Sequence, residues 1–155
     1  MANKIHKFLE DWVINLIKNK DLFAKQIEKI EKKDLNILVI YKTKKQLFLI
    51  KPFISDMKNT ISEINKAEDF IALVTFNTKE NFDIIFKNWS SLNKNPKFSI
   101  YFINPFSKFE KKWIIYPHTH ERITEKTAIK KGLLALFNTV EVTTEEEIKN
   151  ILKEN

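Results

Sequence analysis

Two of the three histidines and the chain's single arginine fall within seven residues, Tyr116-Pro117-His118-Thr119-His120-Glu121-Arg122. If the stretch is extended, His118 and His120 project to the same side. A His-x-His pair on a strand can hold a metal such as zinc, with Glu121 or another carboxylate as third ligand. The spacing identifies no third ligand, and His6 lies at the far end of the sequence. No metal is therefore assigned, and the segment reads as a polar strand end leading into a helix, with Arg122 paired to Glu121 or Glu125. His118, His120 and Arg122 remain a candidate polar site, because an always-charged fork of donors is not interchangeable with lysine. Other catalytic chemistry has little to stand on. The serines, among them Ser55, Ser62, Ser90, Ser91, Ser99 and Ser107, lack a G-x-S-x-G elbow. The acidic pairs Glu10-Asp11 and Glu68-Asp69 are sequence neighbours, which on a helix point about 100° apart. No residue is assigned a catalytic role, and no cofactor is called for.

Lysine offers a second kind of chemistry. Lys42, Lys44 and Lys45 crowd one turn, while Lys108, Lys111 and Lys112 flank another that contains Phe106 and Phe109. Basic turns with aromatic neighbours can follow a phosphate backbone and stack on unpaired bases. The 155 residues carry a net charge of +7, concentrated ahead of Trp113, and of 27 basic residues only Arg122 is arginine. The lysine excess accompanies 22 isoleucines, 15 asparagines, 13 phenylalanines and one glycine, Gly132. These residues share A/T-rich codons, so genome composition accounts for much of the charge. Lysines with a single arginine also predict little sequence reading, since the commonest specific base contact is a bidentate arginine on guanine.

Several classes fall away. A lone glycine is incompatible with a Walker loop, a dinucleotide fingerprint or a kinase glycine-rich loop. The absence of cysteine removes disulfides, thiolate metal sites and a cysteine nucleophile. Apolar runs such as Leu35–Tyr41 stop well short of the roughly 20 residues that span a bilayer. The first residues lack the apolar core of an export signal, so a cytoplasmic protein without membrane contact is expected.

The elements that must position these groups are marked by periodicity. Ile5, Phe8, Leu9, Trp12, Val13, Leu16 and Ile17 make one helical stripe, and Leu22, Phe23, Ile27 and Ile30 resume helical spacing as far as Lys33. Leu35–Tyr41 and Gln46–Ile50 read as a hairpin, apolar on both faces and hence covered on both. Ser55 is placed to cap a helix bearing Met57, Ile61 and Ile64, and Phe70–Phe76 reads as a strand. Asn77 with Glu80 opens a further helix as a capping box. Phe98–Ile103 and Lys112–Tyr116 are two more strands. Thr124 and Thr144 are placed to cap the last two helices. The order ααββαβαββαα predicts a single α/β domain over residues 1–155, with a mixed sheet of about five strands and helices on both faces.

A helix, a hairpin whose second strand ends near a lysine, then helix, strand, helix and strand is similar to the core of restriction-endonuclease-like nucleases of the RecB-like branch. In that family an acidic residue opens one strand and a Glu-x-Lys triplet closes the next, the carboxylates holding Mg²⁺ and the lysine supporting the attacking water. Asp34 or Asn36 stands at the acidic position, and Leu49-Ile50-Lys51 at the triplet. Lys51 matches and the glutamate is a leucine, so a divalent ion has too few oxygen ligands. The resemblance thus implies a degenerate copy that does not cut. The family also has a strand before the acidic one, where Asp21–Lys33 reads as helix.

The leading expectation is a non-catalytic, nuclease-like module that binds DNA or RNA with low sequence specificity through Lys42, Lys44, Lys45, Lys51, Lys108, Lys111 and Lys112, as a structural subunit. The alternatives are a protein-interaction or self-associating domain using Trp12 or Trp89, and a metal-dependent enzyme centred on His118 and His120.

Overall fold

In the computed structural model, which describes residues 2–154, the elements run α1 (Ala2–Lys20), β1 (Ile27–Lys33), β2 (Asn36–Tyr41), β3 (Lys45–Ile50), α2 (Lys58–Lys66), β4 (Phe70–Phe76), α3 (Lys79–Lys87), α4 (Trp89–Leu92), β5 (Phe98–Ile103), β6 (Lys112–Ile115), α5 (Pro117–Ile123), α6 (Ile129–Phe137) and α7 (Glu145–Glu154). The strands form one mixed sheet in sequence order, β1 to β6. β1, β2 and β3 make an antiparallel meander, β3, β4 and β5 are parallel, and β6 is antiparallel to β5. The α/β class holds, with six strands among the described residues where about five were expected.

Both parallel crossovers step the same way along the sheet, and because such connections have one hand their helices land on the same face. α2, α3 and α4 lie there with α6, so that Leu49, Leu73, Ile100 and Phe102 are buried with Ile64, Phe82, Leu133 and Phe137. The other face is left to helices outside the crossovers. There α1 and α7 bury Ile37, Val39, Phe48, Val74 and Ile103 with Leu9, Val13, Ile148 and Leu152. Alternate residues of β3, β4 and β5 enter opposite clusters, which is why those strands are apolar throughout.

The helix expected over Leu22–Lys33 is not formed. Residues 21–24 turn, and β1 follows. Ile27 pairs with Tyr41 and Ile30 with Val39, with a register shift between Ile27 and Lys29. The extra residue of this bulge turns two isoleucines three positions apart toward the same α1 face, so an edge strand acquires a helical spacing. The His118 segment is likewise helical, not extended: Pro117 occupies the first turn of α5, where its fixed φ fits and its missing N–H has no role. Three expected caps also move. Thr78, not Asn77, caps α3, its hydroxyl accepting from the Asn81 N–H at 3.1 Å. α2 follows Met57 without a side-chain cap, and Ser55 lies outside it. Thr124 ends α5 instead of opening α6, which is preceded by a 3-10 turn over Lys126–Ala128. Thr144 does cap α7, accepting from the Glu147 N–H at 3.1 Å.

Candidate functional site

The register sets Asn36 directly opposite Leu49. Asp34 lies two residues before Asn36, in the β1–β2 turn, and Lys51 two residues after Leu49, so all four share the end of the sheet where the parallel strands finish. The side chains do not make an ion site. Asp34 is exposed with a positive φ of 56°, and Leu49 is fully buried in the core beneath α2. Among the described residues no group of three histidine, aspartate or glutamate side chains is placed to hold a metal.

That same rim is closed by asparagine. Asn77 is fully buried; its amide donates to the carbonyls of Phe137 and Val140 at 3.2 and 3.1 Å, and its oxygen accepts from the Trp113 indole at 2.8 Å. Asn104 donates to the Glu141 carbonyl at 2.8 Å. Asn81 accepts from the Ile54 N–H and donates to the carbonyls of Pro52 and Phe76. The Asn77 and Asn104 bonds draw the α6–α7 connection across the ends of β4 and β5, with Thr143 bridged to Thr78, while those of Asn81 tie down the segment after β3. The polar groups of this rim therefore spend their hydrogen-bonding capacity on the fold.

The histidine segment is also dispersed by its helix, because residues two apart on a helix point about 200° apart. His118 Nδ1 lies 3.1 Å from the Asn93 carbonyl. His120 lies edge-on to Trp89 at 5.9 Å, at the opposite end of α4 from Asn93, with Nε2 buried and unpartnered and its pKa held below the ordinary value by burial. Glu121 accepts from the Trp89 indole at 2.6 Å and does not pair with Arg122, which is exposed and in no ion pair among the described residues. Trp89 is thus buried, and Trp12 is half-buried against the core, so neither supplies the exposed apolar patch that a partner-binding reading placed on them.

The opposite rim, where β3, β4 and β5 begin, is open. α1 ends at Lys20, and residues 21–26 arch back over the sheet to β1 because Asp21 accepts from the N–H groups of Gln26 and Ile27 at 2.8 and 2.9 Å. Beneath this arch lies a cavity of about 450 Å³, within the roughly 300–1,000 Å³ of small-ligand sites. Its deeper lining is Gln46, Phe48, Ser99 and Tyr101; its outer wall carries Lys20, Lys44, Lys97, Tyr41, Phe70 and Tyr116.

Lysine and aromatic groups alternate around this opening. Lys44 Nζ stands 5.3 Å from the Tyr41 ring centroid and 4.9 Å from that of Phe70, Lys97 Nζ is 5.6 Å from Phe70, and Lys20 Nζ is 5.9 Å from Tyr101. Lys20 and Lys44 have no carboxylate partner among the described residues, whereas Lys97 donates to the Glu68 carbonyl. The one carboxylate in the lining, Asp21, is engaged by the arch itself. The Lys20 pKa is lowered by partial burial and then by nearby Lys112, and burial raises Tyr101 to about 12. The opening therefore presents three lysines to one carboxylate beside aromatic faces.

The expected lysines are divided between the rims, separated by the length of a six-residue strand, about 20 Å. Lys42, Lys44 and Lys45 stay together, Lys44 in the cavity and all three around a shallow depression beside it. Lys51, Lys108 and Lys111 belong to the other end, while Lys112, opposite Ile103 on β6, comes near enough to Lys20 to repel its charge. Lys111 is occupied by the carbonyls of Pro105 and Ser107. Phe106 stacks on Phe8 at 5.5 Å, leaving Phe109 as the exposed aromatic of that loop. Lys20, Lys97, Gln46, Ser99, Tyr101 and Phe70 carry no signal in the sequence; Tyr41 does, as an aromatic at a strand end next to a lysine turn. No helix among the described residues is long and apolar enough to cross a membrane. Comparison with known proteins finds no matching family model, no similar curated protein and no similar solved structure, so function is read from the chain's own geometry.

Proposed function

We propose that this chain is a non-catalytic α/β module, of the nuclease-like class, that binds single-stranded nucleic acid with low sequence specificity across the rim where β3, β4 and β5 begin. The observation that carries this reading is the cavity beneath residues 20–26, where Lys20, Lys44 and Lys97 alternate with Tyr41, Phe70, Tyr101 and Tyr116. Lysines tracking phosphates beside aromatic faces that stack on bases are the combination single-strand binding requires. The nuclease-like class is supported by the order of helix, three-stranded meander, helix and parallel strand, which now includes a strand ahead of Asn36. A non-catalytic role is supported by Leu49, which fills with hydrocarbon the position where the family carries a metal-binding glutamate.

The test is fluorescence anisotropy of a labelled single-stranded oligonucleotide titrated with the full chain at increasing salt. Three phosphate contacts at about 0.7 each predict that log K falls with log salt with a slope of about −2, and that Lys20→Gln and Lys44→Gln each flatten it. No detectable binding at low salt, or binding indifferent to salt, removes this reading.

A further inference from the structure

We propose that the cavity beneath residues 20–26 receives one nucleotide unit, base inward and phosphate at the mouth, an assignment that rests on the nucleic-acid reading above. The cavity is graded from inside to outside. Ser99 and Tyr101 are 3% and 8% exposed, yet their hydroxyls line the cavity and enter no hydrogen bond among the described residues. Hydroxyls that face a cavity and spend no hydrogen bond on the protein are free to meet a ligand or water there. Gln46, one strand over, adds an amide that is equally free of protein partners. Serine, tyrosine and glutamine each donate and accept, which suits the polar edge of any base and accounts for tolerance of sequence.

The charge lies outside this polar floor. Lys20 and Lys44 approach from the arch and from the β2–β3 turn, two elements far apart in sequence that meet over the cavity; neither is in an ion pair among the described residues, and Asp21 is the one carboxylate in the lining beside Lys20, Lys44 and Lys97, with Glu28 and Asp69 in the adjoining depression. Phe48 in the floor and Phe70 and Tyr41 in the wall supply apolar faces between floor and mouth. Free phosphate would satisfy only the mouth, and a nucleoside only the floor. A unit carrying both a planar heterocycle and a phosphate engages the whole lining.

Isothermal titration of the full chain with adenosine 5′-monophosphate, adenosine and inorganic phosphate separates these cases. The nucleotide is expected to bind at least tenfold more tightly than either fragment, to compete with the oligonucleotide, and to weaken roughly tenfold in Tyr101→Phe, a change that keeps the ring and removes the hydroxyl. Lys108→Gln, on the far rim, is expected to leave nucleotide binding unchanged. If the oligonucleotide binds but the nucleotide neither binds nor competes, and Tyr101→Phe leaves oligonucleotide affinity intact, the assignment of the cavity is overturned while the nucleic-acid reading stands. If the nucleotide binds and no oligonucleotide does, the reverse holds. Failure of both removes both.

Discussion

The two ends of the parallel strands have opposite chemistry. Where β3, β4 and β5 finish, Asn77 and Asn104 give their amides to carbonyls of the α6–α7 connection, holding it over the strand ends, and Asn81 gives its amide to those of Pro52 and Phe76. Where the same strands begin, Ser99 and Tyr101 are as deeply buried but spend no hydrogen bond on the protein. In open α/β sheets ligands ordinarily lie beyond the finishing ends, in the crevice where strand order reverses and neighbouring crossovers part to opposite faces. Here the order runs from β1 to β6 without reversal, so no such crevice forms. The opening arises instead because α1, which covers the face the crossovers leave bare, stops before the rim and its chain arches back to the far edge. A buried polar residue thus has two uses that exposure alone does not distinguish, and the hydrogen-bond partners separate them.

The largest expected effect strikes the closed rim. Asn77→Leu removes the buried donor to the Phe137 and Val140 carbonyls and the buried acceptor of the Trp113 indole, and is expected to destabilise the fold by about 3–5 kcal/mol in urea titration. A loss below about 1 kcal/mol would deny that these bonds hold the rim together.

At the open rim, the Tyr101 phenol is held protonated up to about 12 against an ordinary value of 10.0. The folded state therefore binds more protons than the unfolded between those values. The stability this represents is complete below pH 10 and is lost as pH rises toward 12, approaching about 3 kcal/mol. Denaturant titrations of wild type and Tyr101→Phe across that window should diverge, with the variant spared; parallel curves would mean that Tyr101 is not desolvated in the cavity.

Two milder substitutions sharpen the contrast. Asn104→Ala breaks a bond to Glu141 and is expected to cost about 1–2 kcal/mol. Ser99→Ala, at similar burial, is expected to shift stability by less than about 0.5 kcal/mol, because its hydroxyl has no protein partner to lose. Equal losses at the two positions, measured by thermal melting, would erase the distinction between the rims.

The sequence exposes the architecture more readily than the cavity. The stripe of Ile5, Leu9, Val13 and Ile17, and the continuous apolar runs of β2 to β5, encode burial directly, and those elements form where their periodicity predicts. β1 is hidden because its bulge imposes a helical spacing on Ile27 and Ile30. The His118 segment misleads because a proline can open a helix as well as end a strand. Lys44 is visible as part of a lysine turn, but its partners come from the end of α1, the start of β4 and the middle of β5. Tyr101 looks like any core residue of an apolar strand, and only its place under the arch gives its hydroxyl something to face. The asparagines are obscured for a different reason: in a chain rich in asparagine, three buried ones are indistinguishable by type from the exposed remainder.

The most direct test of the difference between the rims compares two double variants in oligonucleotide binding, Lys20→Gln with Lys44→Gln at the open end and Lys51→Gln with Lys108→Gln at the closed end. Each pair removes the same formal charge from a chain of net charge +7. The open-end pair is expected to weaken binding at low salt by more than tenfold and to flatten its salt dependence, while the closed-end pair stays within twofold of wild type. Equal losses from the two pairs would reduce the interaction to overall charge, and a greater loss from the closed-end pair would contradict the account by moving the interface to the rim where the strands finish.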